Sequence, residues 1–94
     1  MTGKSLASII CDCIRENRYL IGLHATERLD ERGILEWQVV EAMAHAEFLR
    51  ERPDGDPHPV AEFEVLLPDG TPAKVVWAYL SRSGYVKLVT VFYL

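Results

Sequence analysis

One histidine and two arginines recur at intervals of four residues in the first third of the chain. They are His24, Arg28 and Arg32. On a helix this spacing places the three side chains on one stripe. An imidazole exchanges a proton near neutral pH, and a guanidinium binds phosphate at two points. The stripe therefore predicts a site that binds or cleaves a phosphodiester.

RNA cleavage without a metal needs a base for the 2′-hydroxyl proton, cations for the charge of the phosphorane and an acid for the leaving oxygen. His24 is the predicted base and Arg28 the predicted phosphate ligand, which makes these two the candidate catalytic residues. Further charge or hydrogen bonds are expected from the candidate substrate-binding residues Arg32, Lys87, Thr90 and Tyr93.

Each of these residues also has a structural interpretation. A histidine at the start of a helix can cap it or bond a neighbouring carbonyl. Arg28 and Arg32 have Glu27 and Glu31 close by in the sequence, so this side of the helix can be a solvated, salt-bridged surface. Tyr93 lies in a C-terminal strand, where packing is its simplest role.

Three segments with helical apolar spacing supply the elements that position these residues. The predicted helices run over about residues 5–17, 24–32 and 35–46, and Ser5 is the expected N-cap of the first. A short extended piece, residues 19–23, separates the first two. Gly33 followed by Ile34 matches a Schellman motif with Leu29 as its hydrophobic partner, which buries the Leu29 side of the second helix.

A loop with three prolines and one glycine, residues 53–59, separates this helical half (1–52) from a half with period-two alternation (60–94). The predicted strands cover about residues 60–67, 73–80 and 85–94, with turns at Pro68-Asp-Gly70 and Ser81-Arg-Ser-Gly84. We therefore expect a single α+β domain over residues 1–94. Three helices precede a three-stranded antiparallel meander, and the helices cover one sheet face in a two-layer sandwich.

Composition argues against several classes of protein. The net charge of −4 disfavours a general nucleic-acid binder, but residues 35–58 hold the whole acidic excess, so another part of the surface can still accept RNA. Cys11 and Cys13 cannot bridge each other on a helix and are expected to be reduced, with Cys13 in the core. No ligand spacing indicates zinc, so neither a metal nor a cofactor is predicted.

The apolar N-terminal stretch, residues 6–14, is interrupted by Ser8 and Asp12 and has no small-residue cleavage site. It is therefore neither a signal peptide nor a membrane span. We expect a cytoplasmic protein with no membrane partner.

Several motifs in the chain resemble a bacterial family, domain-of-unknown-function family 4258, over about residues 19–94. They are His24-Ala-x-x-Arg28, Arg32-Gly33-Ile34, the proline-rich break and a last strand with Val-Thr-Val-aromatic. This family is similar to the RelE-type and BrnT-type ribonuclease toxins, small α+β domains that cleave RNA without metal. The resemblance implies a toxin-like RNA-binding or RNA-cleaving domain with an antitoxin-like protein partner. The family's histidine, arginines and late threonine fall on His24, Arg28, Arg32 and Thr90.

One departure from the family pattern concerns the last strand. The family often has a tyrosine two residues after the threonine, where this chain has Phe92, and Tyr93 is displaced by one position. Regular alternation predicts Val86, Leu88, Thr90 and Phe92 on one face and Lys87, Val89, Val91 and Tyr93 on the other. Because a one-residue shift reverses the face, a catalytic phenol beside His24 would then be missing.

The alternative function is a non-catalytic module for protein–protein interaction or homodimerisation. It would use the acidic third helix and an apolar outer sheet face, predicted as Val89, Val91 and Tyr93 with Val76 and Ala78. The apolar last strand can also pair edge to edge with a second copy. A small-molecule pocket between the second helix and the sheet is a third possibility.

Overall fold

The computed structural model describes residues 5–94. Along the chain it contains helix α1 (Leu6–Arg15), strand β1 (Tyr19–Ile21), helix α2 (Leu23–Arg32), helix α3 (Glu36–Ala42), a 3₁₀ turn (Met43–His45), and strands β2 (Glu47–Arg52), β3 (Val60–Leu66), β4 (Pro72–Leu80) and β5 (Tyr85–Tyr93). The first four residues of the predicted helical half lie outside the described part.

Helix α1 begins as its sequence predicts. The hydroxyl of Ser5 accepts a hydrogen bond from the N–H of Ser8 at 3.1 Å, which satisfies one of the free donors of the first turn. The apolar stripe of the helix buries Ile10, Cys13 and Ile14. Cys11 and Cys13 are both free thiols, and the predicted core position of Cys13 is confirmed.

Helix α2 ends in the predicted Schellman motif. Gly33 adopts the left-handed conformation with φ 67°. The N–H of Ile34 donates to the carbonyl of Leu29 at 3.0 Å, and the N–H of Gly33 donates to the carbonyl of Asp30 at 3.1 Å. Ala25 and Leu29 are buried, so the opposite side of the helix faces outward.

The sheet has five strands rather than the predicted three. Its order is β1-β5-β4-β3-β2, and β1 runs parallel to β5 while the other pairs are antiparallel. The predicted meander is its centre, β3-β4-β5. The sequence predicts only an extended piece at β1, because three residues are too few to show the alternation of a strand. Strand β2 was missed because it is an exposed edge strand, bulged at Leu49, without apolar alternation.

A bulge in β5 changes which side chains share a face. Val76 pairs with Thr90 and Trp77 pairs with Leu88, which leaves Val89 without a partner. One extra residue reverses the alternation of everything after it. The predicted faces of the last strand are therefore wrong beyond Leu88.

The helix-facing side of β5 carries Val86 and Leu88 and, after the bulge, Val91 and Tyr93. The buried residues of all three helices form one cluster with this side of the sheet. At its centre Trp77 is completely buried, with Tyr19 edge-on to its ring at a centroid distance of 6.5 Å.

The other side, called here the open sheet face, is charged rather than apolar. It carries Glu47, Arg50, Arg52, Val60, Glu62, Glu64, Lys74, Val76, Ala78, Lys87, Thr90 and Phe92. The predicted apolar outer face is wrong because the bulge turns Val91 and Tyr93 toward the helices. Strand β1 occupies the edge of β5 at Val86–Leu88, so the edge-to-edge pairing suggested for the last strand is excluded there and stays a prediction for the residues beyond Leu88.

None of the helices within residues 5–94 has the length and apolar character needed to cross a bilayer.

Replacing Gly33 by alanine tests the helix stop. A Cβ at this position meets no atom within 4 Å, so the whole cost comes from the left-handed backbone conformation. We expect Gly33→Ala to lower the free energy of unfolding by about 1 kcal/mol in chemical denaturation. Gly33→Asn, which tolerates this conformation better, should lose less. Equal stability of the alanine variant and the parent would contradict the assignment.

Candidate active site

Helix α2 lies along β5 beyond the point where β1 ends. Strand β1 pairs with β5 only as far as Leu88, and the N–H of Gly22 then donates to the carbonyl of Leu88 at 2.9 Å. A Cβ on Gly22 would lie 2.8 Å from that carbonyl oxygen and 2.9 Å from Cε of Lys87. Glycine is therefore needed here for the backbone to approach β5, and α2 begins one residue later.

His24 lies in the first turn of α2 with its imidazole in solvent. Its side chain is 60% exposed, and no side chain caps this helix, so the capping role considered from the sequence is absent among the described residues. The nearest carboxylate belongs to Glu27, with Oε1 4.0 Å from Nδ1 of the ring. This distance is too long for a hydrogen bond, and the pair attracts only when the imidazole is protonated.

Arg28 lies one turn further along α2 and is half-buried. Within residues 5–94, no carboxylate comes within 4.0 Å of its guanidinium, so the predicted pairing with Glu27 or Glu31 does not form. The backbone carbonyl of Arg28 accepts a hydrogen bond from the hydroxyl of Tyr93 at 2.7 Å. This bond holds the middle of α2 against β5 and leaves the guanidinium of Arg28 available.

Arg32 is engaged by its neighbours. Its guanidinium lies 4.2 Å from the ring centroid of Tyr93, a cation–π contact. Its Nη2 donates to the hydroxyl of Thr71 at 3.3 Å and lies 4.0 Å from a carboxylate oxygen of Asp69. The hydrogen bond from the N–H of Thr71 is the main cause of the lowered pKa of Asp69, and Arg32 adds to it. Arg32 therefore joins α2 to the β3–β4 turn.

Tyr93 reaches α2 because of the bulge at Val89. Its phenol contacts Arg28 and Arg32, in the C-terminal half of the helix, and not His24. Burial raises the pKa of this phenol, with Arg32 opposing part of the shift, so the group stays protonated and donates at neutral pH. Tyr93 thus positions the helix. The presence of phenylalanine rather than tyrosine at position 92 does not remove this contact.

Lys87 and Thr90 lie on the open sheet face, opposite to Tyr93. The hydroxyl of Thr90 is buried and has no hydrogen-bond partner within the part of the chain that the structure describes. Lys87 is exposed, and its side chain passes beside Gly22. Of the predicted strand residues, Lys87 is therefore the one that is brought to Gly22, the residue that precedes α2.

Sequence reasoning missed a charged cluster around Glu62. This residue is only 5% exposed, although a glutamate that alternates with the apolar Ala61 and Phe63 along a strand ordinarily faces solvent. Its carboxylate oxygens lie 3.1 Å from Nε of Arg50, 3.4 Å from Nζ of Lys74 and 3.6 Å from Nη2 of Arg52. Burial by itself raises the pKa of Glu62, but hydrogen bonds and charge from Arg50 and Lys74 outweigh it and hold the pKa below its usual range.

The cluster was missed because two of its three cations come from β2, the strand that the sequence pattern did not reveal. The usable signal was the spacing of Arg50 and Arg52, which places both on one face of a strand. Among residues 5–94, no group of three His, Cys, Asp or Glu side chains is arranged to hold a metal ion.

Comparison with known proteins identifies a family. The model of a family described as a domain of unknown function, DUF4258, matches residues 21–93. The chain belongs to this family. The matched range of the DUF4258 domain begins at the end of β1 and includes every element from α2 to β5. Searches of curated proteins and of solved structures found no match.

The contact between Tyr93 and α2 can be tested by removing one oxygen. Tyr93→Phe keeps the ring beneath Arg32 but loses the hydrogen bond to the carbonyl of Arg28. We expect the free energy of unfolding to fall by about 1 kcal/mol in denaturant titrations. The control is Tyr85→Phe on the same strand, because the hydroxyl of the exposed Tyr85 makes no hydrogen bond within residues 5–94. Equal effects of the two substitutions would show that the contact contributes nothing.

Proposed function

We propose that this DUF4258 domain is a toxin-like RNA-binding protein that cleaves RNA, with His24 as general base and Arg28 as phosphate ligand. One observation carries the proposal. A solvent-accessible imidazole lies one helical turn from a guanidinium that has no ion-pair partner within residues 5–94. The resemblance of the family to metal-independent ribonuclease toxins adds support.

In the proposed reaction, His24 removes the proton of a ribose 2′-hydroxyl, and that oxygen attacks the adjacent phosphorus. The bond to the 5′-oxygen breaks, a water molecule protonates the leaving oxygen, and the resulting hydroxide takes back the proton held by His24. The products are a 2′,3′-cyclic phosphate and a 5′-hydroxyl. Glu27 favours proton transfer because its carboxylate, 4.0 Å from Nδ1, attracts the imidazolium that forms. Both side chains are exposed, so water screens this attraction and its contribution is small.

Arg28 binds the phosphate and the negative charge that develops on it. Arg28 is half-buried, and the hydrogen bond from Tyr93 to its carbonyl holds the backbone from which the guanidinium extends. In this scheme Tyr93 and Arg32 are positioning residues, because their polar groups already bond α2 and the β3–β4 turn. Preorganised cations of this kind stabilise a transition state without paying for reorientation during the reaction.

The beginning of α2 supports anion binding near His24. No side chain caps the helix, and its first turn has no acidic residue. The positive end of the helix dipole therefore faces incoming phosphate without competition from a carboxylate of the first turn. Lys87 adds a full positive charge on the adjacent strand.

A second candidate function is homodimerisation through an apolar patch at α3. Trp37 is 57% exposed and Leu66 is 67% exposed, and both line one groove between α3 and the end of β3. The exposed Leu35 lines the adjoining groove on the other side of Trp37. Exposed tryptophan in an apolar patch is typical of protein–protein contact sites, so a second copy or an antitoxin-like protein are the candidate partners.

The ribonuclease proposal predicts that cleavage depends on one histidine. We expect purified protein to cleave single-stranded or structured RNA in the presence of EDTA, and His24→Ala to lower the rate about a hundredfold or more. His45→Ala is the matched control, because His45 is also exposed but lies in the 3₁₀ turn. Equal cleavage by parent and His24→Ala, or no cleavage by either, would contradict the proposal.

The dimerisation candidate predicts a concentration-dependent change in mass. We expect sedimentation equilibrium to show a dimer that Trp37→Ala converts to monomer, because the substitution removes the largest exposed apolar side chain of the patch. Phe92→Ala is the control, since Phe92 is an exposed aromatic residue on the open sheet face. A parent protein that stays monomeric at high concentration would contradict this candidate.

A further inference from the structure

We infer that the open sheet face binds a single strand of RNA, which crosses the sheet from Arg50 and Arg52 on β2 to Lys87 beside the start of α2. This inference rests on the proposed function and names the surface that presents the substrate to His24. It follows from the three cations around Glu62, from the register of the sheet and from one exposed aromatic ring. Arg50 and Arg52 belong to the acidic segment 35–58, but the sheet places both on one face, beside Lys74.

The group of cations around Glu62 is the first observation. A buried carboxylate needs a cation or hydrogen bonds to offset its desolvation, and one well-placed cation is enough. Glu62 has three, from Arg50, Arg52 and Lys74. The side chains of Arg50 and Arg52 are 60% and 59% exposed. Donors of both guanidinium groups therefore remain available to phosphate oxygens, which they bind at two points.

The register of the sheet places these arginines and Lys87 at opposite ends of one row. Arg52 pairs with Val60, Val60 with Ala78, and Ala78 with Lys87. Three strand spacings separate the ends, about 14 Å. The residues between them are small or β-branched, so the long cationic side chains border a shallow floor. A flexible phosphate backbone can cross this floor with phosphates near both ends.

The exposed ring is the third observation. Phe92 is 43% exposed on the same face, and Nζ of Lys74 lies 5.0 Å from its ring centroid. An exposed aromatic ring offers a surface on which an unpaired base stacks. Unpaired bases and open sheets with exposed aromatic residues are a common combination in RNA recognition. Single-stranded RNA therefore fits this face better than a duplex.

The row ends beside the residue that precedes α2. Cε of Lys87 lies beside the backbone of Gly22, two residues before His24. A strand that reaches Lys87 therefore delivers its next phosphate to the first turn of α2. Phe92 and Lys74 lie in the same row as Glu47 and Glu64. The carboxylates of that row repel phosphate, so the backbone stays on the side of Arg50 and Arg52 and a base alone extends to Phe92.

The test measures binding apart from cleavage. The protein carries His24→Ala, and the probe is a 12-nucleotide oligouridine with a fluorescent label, followed by anisotropy at several salt concentrations. We expect the further change Arg50→Gln with Arg52→Gln to weaken binding at least tenfold. The slope of log K against log salt should fall by about 1.4, because each contact of a cation with single-stranded RNA contributes about 0.7. Lys74 still pairs with Glu62 in this variant.

Matched variants test whether RNA binding depends on the open sheet face or only on the total charge of the protein. Arg15→Gln removes an exposed arginine that pairs with Asp12 on α1 and should leave the dissociation constant within twofold. Phe92→Leu should weaken binding at least fivefold, as expected for loss of one stacked base. Phe48→Leu is its control, because Phe48 is equally exposed but faces the helix side of β2.

A last variant distinguishes an RNA surface from a purely structural cluster. Glu62→Gln leaves the three cations without their carboxylate, so RNA affinity should rise at least twofold if they face phosphate. Unchanged or weaker binding would contradict the inference, and circular dichroism checks that each variant is folded.

If Arg50→Gln with Arg52→Gln binds as tightly as its parent while His24-dependent cleavage persists, the inference is wrong and the proposed function stands. If the chain with His24 intact neither binds nor cleaves RNA, both are wrong.

Discussion

The unpaired residue Val89 in β5 determines which side chains of the last strand meet the helices. Before it, Val86 and Leu88 face the core, and after it Val91 and Tyr93 do so. A regular strand would have directed Tyr93 to the opposite face, where its phenol could not reach the carbonyl of Arg28. The hydrogen bond from Tyr93 to the middle of α2 depends on this one irregularity.

The same bulge also determines which side chains of β5 lie on the open sheet face. It turns Thr90 and Phe92 away from the helices and toward the surface that carries Arg50, Arg52 and Lys74. Antiparallel sheets tolerate one uncovered face when its side chains are polar or well solvated. Here long cationic side chains extend across that face and cover the buried carboxylate of Glu62, so the sheet needs no second helical layer.

Local features were predictable from the sequence. The cap at Ser5, the Schellman motif at Gly33 and the three central strands depend on residues that are close in the sequence, so their patterns can be read without knowledge of the fold. The stripe of His24, Arg28 and Arg32 was predictable for the same reason, since helical spacing alone aligns it. Strand β1 shows too few residues for a pattern, and β2 lacks alternation because it lies at an edge.

By itself, the sequence determined the α+β class, the second helix with its outward stripe, and the residue types available for phosphate chemistry. Only the tertiary structure decided which of those residues meet. Tyr93 reaches α2, Arg32 is held by Thr71, and Lys87 arrives beside Gly22. The physical reason is that register, bulges and edge pairing depend on contacts between segments that are distant in the sequence. A short stretch of sequence does not show how strongly it will pair with a distant one.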